Sequence, residues 1–372
     1  MKITLKNTPE QIELVKAMAS RNRDVAYEAQ TALAEFIGPV LAEVINQAPV
    51  LSNLFTTLQY NADDNPSIPL DLYFDVADED YIQVFSQSRA GGLPTSEVLP
   101  TSSELKIATY SLDSAVSFDR RYAAKSRMDV VAKTMTRVAQ EILAKQNTIS
   151  ANVVMSALAN ASTGGTSHLL ASAVKDKFTL ADLNAMLTKS KRIVTSFSGG
   201  TPDAARGKGV TDIIVSPEIV ENLRAIAYQP LYADSTAGAV PNANVIAEEA
   251  YKAAGAPSFY GINVIELNEM GSEQKFNKTF TAAATAANIT PAHVENNSAT
   301  PFVDTDDELV LGIDRSRESL VRPVAVDAEN GGEFNLIADD QYSIRQSKVG
   351  YFGSLEEGRI VLDNRALVGV VV

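Results

Sequence analysis

Ser67-Ile68-Pro69-Leu70-Asp71-Leu72-Tyr73-Phe74-Asp75-Val76 is the stretch on which the fold turns. Ile68, Leu70, Leu72, Phe74 and Val76 alternate with Pro69, Asp71, Tyr73 and Asp75, the period of a strand with one polar face. An acidic run, Asp78, Glu79 and Asp80, follows. Tyr81, Ile82, Val84 and Phe85 suit a second short strand, and Arg89-Ala90-Gly91-Gly92-Leu93-Pro94 is a turn-rich tip. Leu105, Ile107, Leu112, Val116 and Phe118 read as a returning strand. Limbs of about 15 residues reach on the order of 50 Å. The ribbon has too few large apolar residues for a core of its own, and an isolated two-stranded ribbon is marginal in water. It needs another surface to lie on, and that surface is expected on an adjacent copy.

The ribbon runs into one long helical pattern, Ser126 to Ala161. Ser126-Arg127-Met128-Asp129 reads as a capping box. Val131, Met135, Val138, Ile142, Ile149 and Val153 form the stripe, broadened by Leu143, Val154 and Leu158. Roughly 30 residues at about 1.5 Å each give about 45 Å. Gln146, Asn147 and Ser150 interrupt the stripe, which favours a single helix laid across a sheet over a coiled-coil seam. At the helix entry, Arg120-Arg121, Lys125 and Arg127 either face acidic groups on a neighbouring subunit or solvate the entry.

Upstream, Thr8-Pro9-Glu10-Gln11 opens a helix: Thr8 caps, Pro9 takes the first turn and Gln11 closes a capping box. Two helical pieces are expected, joined more loosely across Ser20 to Gln30. Such a weakly amphipathic arm is expected to rest on a neighbour rather than nucleate a core. Downstream the pattern is α/β. Thr179-Leu180-Ala181-Asp182 caps a helix with Leu183, Met186, Leu187 and Ile193 on its face. Val210 to Val215 is a buried-type strand. Ser216-Pro217-Glu218 starts a helix through Ile226, Asn244 to Ala254 suits another, and Gly261 to Ile265 is a strand. Gly271 to Asp307, rich in Thr, Ala and Asn, is expected to be a long surface insertion. Strands follow at Leu309 to Ile313, Val321 to Val326, Phe334 to Ala338, Tyr342 to Tyr351 and Arg359 to Leu362. The apolar end, Ala366 to Val372, is expected to pair in a sheet.

The 372 residues are 45 % apolar and 21 % charged, enough for a sizeable core in one large or two modest domains. The net charge of −14 argues against a tight nucleic-acid grip, which needs clustered Lys and Arg. With no cysteine, thiolate chemistry and disulfides are impossible. The two histidines, His168 and His293, lie in loop-like stretches and are expected at the surface. Gly200 to Lys208 fails the phosphate-loop spacing, and no dinucleotide fingerprint, nucleophile elbow or zinc motif occurs. Asp75, Asp78, Glu79 and Asp80, and later Asp304, Asp306, Asp307 and Glu308, read as solvated faces rather than cation sites. No catalytic, cofactor-binding or metal-ligating residue is nominated, and no cofactor is expected. No run of roughly 18 apolar residues occurs and Met1 to Lys6 lacks a signal-like core, so a soluble chain made in a cytoplasm is expected.

In the order and character of its segments the chain resembles the major capsid proteins of tailed bacteriophages, whose fold also occurs in encapsulins. The helical arm Thr8 to Gln47, the extended loop Asn65 to Ala108 with its return Thr109 to Tyr122, the spine-like helix Ser126 to Ala161, and the strand–helix–strand set Thr211 to Ile265 with terminal strands in Phe334 to Leu362 carry the likeness. It covers nearly the whole chain but holds no short diagnostic motif. The resemblance implies an α+β, HK97-like capsid fold: an N-terminal arm at 1–50, a peripheral domain at 51–64 and 109–205, an extended loop at 65–108, an axial domain at 206–325 with the insertion 271–307, and return strands at 326–372. It implies a subunit that assembles with itself into pentamers and hexamers of an icosahedral shell, in the virion, built in the host cytoplasm. Portal and scaffolding or decoration proteins are the implied partners, the DNA is enclosed without sequence-specific grip, and no membrane is involved. An encapsulin-like compartment shell is the first rival. A carboxylate-based hydrolase is the second, made unattractive by the absence of tryptophan platforms.

Overall fold

The computed structural model describes residues 8–46, 51–61, 65–69, 104–163, 167–193, 209–228, 258–259, 261–295, 302–303, 305–326, 333–339 and 347–372. In chain order its elements are α1 (Pro9–Ala17), α2 (Arg23–Asn46), β1 (Thr56–Asn61), β2 (Ser67–Pro69), β3 (Glu104–Lys106), β4 (Thr109–Asp119), α3 (Arg120–Ala124), α4 (Met128–Ser162), β5 (Leu169–Ala171), α5 (Leu180–Ile193), β6 (Asp212–Val215), α6 (Pro217–Tyr228), β7 (Ser258–Phe259), β8 (Ile262–Glu266), α7 (Lys275–Ala286), β9 (Val294–Glu295), β10 (Leu309–Ile313), β11 (Leu320–Val326), β12 (Asn335–Asp339), β13 (Lys348–Gly358), β14 (Ile360–Val361) and β15 (Leu367–Val371). The acidic run after Asp71, the tip at Arg89 to Pro94, the loop at Gly200 to Lys208, Asp304 and the helix expected at Asn244 to Ala254 lie outside the described residues.

The chain divides into two compact units. The first comprises Met1–Pro66, Ile107–Ser150 and Val321–Ile360, and the second Ser67–Lys106, Ala151–Leu320 and Val361–Val372. This differs from the expected division at three places. Residues 151–193 and 361–372 belong with the second unit, and Val321 to Ala325 with the first. The reason is pairing: β15 is a central strand of the second unit's sheet, and β11 carries β1 in the first.

The first unit's sheet has the order β1-β11-β13-β12, with β4 along the other side of β13. β4 and β13 pair antiparallel over their whole length, from Lys348↔Asp119 to Gly358↔Thr109. The core gathers Val131, Met135, Val138 and Ile142 of α4 with Val349 and Tyr351 of β13 and Val324 of β11, so α4 does lie across a sheet. The arm behaves differently from expectation. Val15, Met18, Leu33, Ile37 and Leu41 are buried in this same core, so α1 and α2 pack on their own body rather than waiting for a neighbour. Ala29, Leu33, Ile37 and Leu41 recur at helical spacing, which supplies enough of an apolar face to anchor α2. Thr8 caps α1 through the Gln11 amide at 3.4 Å, as the motif requires. Ser126 does not cap α4: the helix begins at Met128, and Ser126 stands at φ 54 with its buried hydroxyl unpartnered. The chain turns sharply there, between the Arg127 amide and the Tyr122 carbonyl, before α4 starts.

The second unit's sheet has the order β7-β8-β6-β10-β15-β5-β9. Its core is apolar: Met186, Ile213, Val215, Val310, Val368 and Val370 cluster with Phe178, Leu183 and Leu223. Asp182 is buried, yet its carboxylate accepts from the amides of Ala173 and Thr179 and from the Thr179 hydroxyl, which fixes the start of α5. Ser216 caps α6 through the Ile219 amide at 3.2 Å. The described part of the stretch expected as a surface insertion is packed into the unit instead. Phe276, Phe280 and Ala284 of α7 are buried, Phe280 meets Phe302 edge-on with ring centroids 4.8 Å apart, and β9 joins the sheet beside β5. An Ala- and Thr-rich helix with two aromatic anchors one turn apart carries a weak apolar signal in sequence but buries well. The end, Leu367 to Val371, pairs with β10 on one side and β5 on the other, as its apolarity demands.

Candidate functional site

A reaction centre needs titratable groups that meet solvent or substrate, and each candidate must be placed. His168 is buried rather than exposed: its Nδ1 lies 2.9 Å from the Leu367 carbonyl oxygen. Burial lowers its pKa, Lys189 adds to that, and Asp363 and the backbone carbonyls oppose it. That bond ties the start of β5 to β15. His293 closes a one-turn cap, its Nδ1 accepting from the Thr290 amide at 3.0 Å. Asp307 accepts from the Val303 amide at 2.8 Å and Glu308 from the Ser216 hydroxyl at 2.7 Å, so both carboxylates hold loops. Burial raises the Asp307 pKa. Among the described residues no group of three or more His, Asp or Glu could hold a metal ion.

The densest polar cluster lies inside the first unit and was not visible in the sequence. Glu357 of β13 is fully buried. Its carboxylate accepts from Arg322 Nε at 2.7 Å, Arg359 Nη2 at 3.0 Å, Tyr110 Oη at 2.8 Å and Gln146 Nε2 at 3.0 Å. Arg359 also donates to the Ser52 hydroxyl at 2.8 Å and the Ser150 hydroxyl at 2.5 Å, and lies over the Phe55 ring at 5.3 Å. Asn147 Oδ1 accepts from the Leu51 amide at 3.1 Å. Burial pushes the Glu357 pKa up, but the two guanidiniums and the tyrosine bond outweigh it and hold the carboxyl below its usual range. Burial and the facing carboxylate push the Tyr110 hydroxyl pKa up. The charges are paired and shut away from solvent. The cluster can therefore clamp β4, β11, β13, α4 and the 51–55 segment together, and it offers no approach to a substrate. Gln146, Asn147 and Ser150, which seem to interrupt the apolar stripe of α4, are the residues by which α4 reaches it.

Surface features are the further candidates among the described residues. β2 and β3 close an antiparallel ladder of three residue pairs, Ser67↔Lys106 to Pro69↔Glu104. Tyr27, Phe36 and Val40 of α2 and Leu58 of β1 are exposed, Phe36 most of all at 55 %. Arg121, Lys125 and Arg127 are exposed and Arg120 is half-buried at the α3–α4 entry. No described helix is long and apolar enough to cross a membrane.

No family model and no curated protein matches this sequence. Solved structures do resemble it in fold, at low identity and over most of their length, and they are mainly HK97-like phage capsid proteins with some encapsulins. The capsid of cyanophage P-SCSP1u is 12% identical, covering 87% of this chain and 88% of that one, with a TM-score of 0.46. The holo-SrpI encapsulin complex of Synechococcus elongatus is 11% identical, covering 86% and 85%, with a TM-score of 0.42. A virus-like particle from Pyrococcus furiosus is 12% identical, covering 89% and 96%, with a TM-score of 0.43.

Proposed function

We propose that the chain is a shell-forming structural subunit, the major capsid protein of a tailed phage, which assembles with copies of itself around DNA. The observation that carries this reading is the ladder β2–β3. Among the described residues three pairs, Ser67↔Lys106 to Pro69↔Glu104, bring together two points of the chain that Leu70 to Ser103 separate in sequence. Within that stretch Leu70 to Val76 alternates apolar and polar residues in sequence, and one face of such a strand needs an apolar surface. The two polar clusters described above are a closed clamp and a set of loop ties, and neither lends support to a hydrolase. The first unit, with α4 on its sheet, takes the role of a peripheral domain, and the second that of an axial domain. Assembly then rests on many modest interfaces in a closed, symmetric arrangement.

Electron microscopy of the purified protein tests the reading, with closed polyhedral particles expected. Replacing 72–101 by a short Gly-Ser link, which keeps the ladder, should leave a folded protein with unchanged far-UV circular dichroism that no longer closes shells. Shells formed by that deletion would remove the extended segment from the assembly mechanism. Nuclease-protected DNA inside particles from the natural source supports the capsid assignment, whereas a protein cargo without DNA replaces it with the compartment assignment.

A further inference from the structure

β4 presents an edge. Its 11 residues pair with β13 on one side over their whole length, and among the described residues no strand pairs with the other side. Antiparallel pairing leaves every second residue of such a strand with its N–H and C=O turned outward, a template for another strand. Edges of this kind are ordinarily guarded by a lysine, a proline or a bulge. β4 has none of the three: its register is continuous from Thr109 to Asp119, and its charges are Asp113 and Asp119 alone. One face of the strand looks inward, with Phe118 in the core and Leu112 and Val116 packed against it. Ser111, Asp113 and Ala115 of the other face are exposed. A groove of about 320 Å³ lies where β4 meets α4. It is lined from β4 by Ser111 to Ser114 and from α4 by Glu141, Ile142 and Lys145, with no residue of β13, so it opens at the unpaired edge.

The edge matches itself when reversed. Laid antiparallel to a copy of itself about Ser114, β4 sets Tyr110 against Phe118, Leu112 against Val116 and Ser111 against Ser117, each pair on a common face. Moving the register by one residue exchanges the faces. Moving it by two in either direction shortens the ladder, and in one direction places Asp113 directly opposite Asp113 of the copy, which is unfavourable. The groove adds a charge argument. A two-fold axis through Ser114 turns α4 of the copy end for end, so the exposed Glu141 and Lys145 of one chain meet Lys145 and Glu141 of the other. We infer that β4 pairs with β4 of a second copy about a two-fold axis at Ser114, joining two first-unit sheets into one. The contact rests on the shell reading above for its role, and its symmetry is what a two-fold interface between like subunits requires: the same patch on both sides, complementary to itself.

The chain has no cysteine, so introduced thiols report without background. One preparation carries Ser111→Cys and a second carries Ser117→Cys. The two are mixed, assembled and treated with a short bismaleimide. The expected product is a mixed dimer, formed about fivefold or more faster than either homodimer, because the thiols of a homodimer would stand about 20 Å apart along the ladder. Ala115→Asp in both preparations puts a carboxylate opposite Asp113 twice in each pair and should slow the mixed crosslink about threefold or more. Ala115→Lys should not slow it, and Asp113→Lys added to Ala115→Asp should restore it. Both positions are exposed, so far-UV circular dichroism should stay unchanged. Homodimers as fast as the mixed dimer, or a mixed crosslink indifferent to Ala115→Asp, overturn the inference. So does hydrogen exchange that finds the outward amides of β4 protected in a protein that sedimentation shows to be monomeric, which assigns the edge to a segment of its own chain. The two readings fail separately. Particles that form without the mixed crosslink overturn this contact and leave the shell reading, whereas a mixed dimer that never proceeds to particles leaves the contact and removes the shell reading.

Discussion

At Glu357 the first unit buries a carboxylate between two guanidiniums, while from Leu367 to Val371 the second buries an apolar strand between β10 and β5. The two cores therefore depend on different things. The first depends on the orientation of hydrogen-bonding groups contributed by β4, β11, β13 and α4. The second depends on volume, since Val368, Val370, Val310 and Met186 meet there with little polar contact. Removing one member of a buried ion cluster strands the others, whereas removing a methyl from hydrocarbon leaves only a void. Glu357→Ala leaves Arg322 and Arg359 buried without a counter-charge and should cost about 3–5 kcal/mol. Guanidinium unfolding measures the loss, and hydrogen exchange should place it in β4, β13 and the 139–150 part of α4. Replacing the set together, Glu357→Leu with Arg322→Leu and Arg359→Met, should recover most of it. A loss below about 1 kcal/mol for Glu357→Ala would erase the contrast between the cores.

The second test asks whether α2 belongs to the first core or to a neighbour. Ile37 is 1 % exposed beside Leu33 and Leu41, so Ile37→Ala should cost about 2–5 kcal/mol in the unassembled protein. Phe36→Ala, at an exposed position on the same helix, should change the stability of the free subunit little and act on assembly instead. Equal, small effects of the two on the free subunit would return the arm to the role first expected of it.

Legibility in the sequence followed the same divide. Where burial is apolar, the sequence carries it: Val131, Met135, Val138 and Ile142 announce the buried face of α4, and Ala366 to Val372 announces a strand paired in a sheet. Capping oxygens were equally legible at Thr8, Ser216 and Asp182, because the bond they make lies within three residues. Partnership over long separations leaves no such trace. Gln146, Asn147 and Ser150 look like breaks in an apolar stripe, and only the fold brings Glu357, Leu51 and Arg359 to them. His168 sits among small polar residues in sequence and is buried because β15 returns to cover it. Ser126 has the residue type of a cap but stands at positive φ, a property of the turn and not of its neighbours. The basic entry at Arg120 to Arg127 was legible as charge, and its exposure is what the structure adds.

A smaller effect tests volume in the second unit. A Cβ at Gly369 would lie 2.7 Å from a methyl of Leu169 and 3.0 Å from one of Leu158, so β15 passes these side chains at a distance only glycine permits. Gly369→Ala should cost about 1–3 kcal/mol by overpacking. Combined with Leu169→Ala it should cost less than the sum of the two single changes, because the removed methyls make room for the new one. If Gly369→Ala unfolds like the wild type, the second core is looser than its burial implies.

Acid offers the mildest way to separate the two cores, because their buried titratable groups respond in different windows. Glu357 has a folded pKa below the ordinary 4.5, held down by Arg359 and Arg322 against burial, so its contribution is present above that value and is lost as pH falls through the folded pKa. His168 has a folded pKa below 6.5, mainly through burial. Above 6.5 it is neutral in both states. Below 6.5 the unfolded chain takes up the proton first, so stability falls with pH until the folded pKa is passed. The second unit should therefore begin to weaken near pH 6.5, while the first holds to about pH 4.5. Hydrogen exchange at pH 7.5, 5.5 and 4.8 should show protection falling first in β5 and β15, with β4 and β13 unchanged. His168→Gln keeps a donor for the Leu367 carbonyl and removes the titration, so the early step should vanish while the later one stays. An acid response that begins in β13, or one that His168→Gln leaves in place, would show that the buried imidazole does not set the second core's sensitivity.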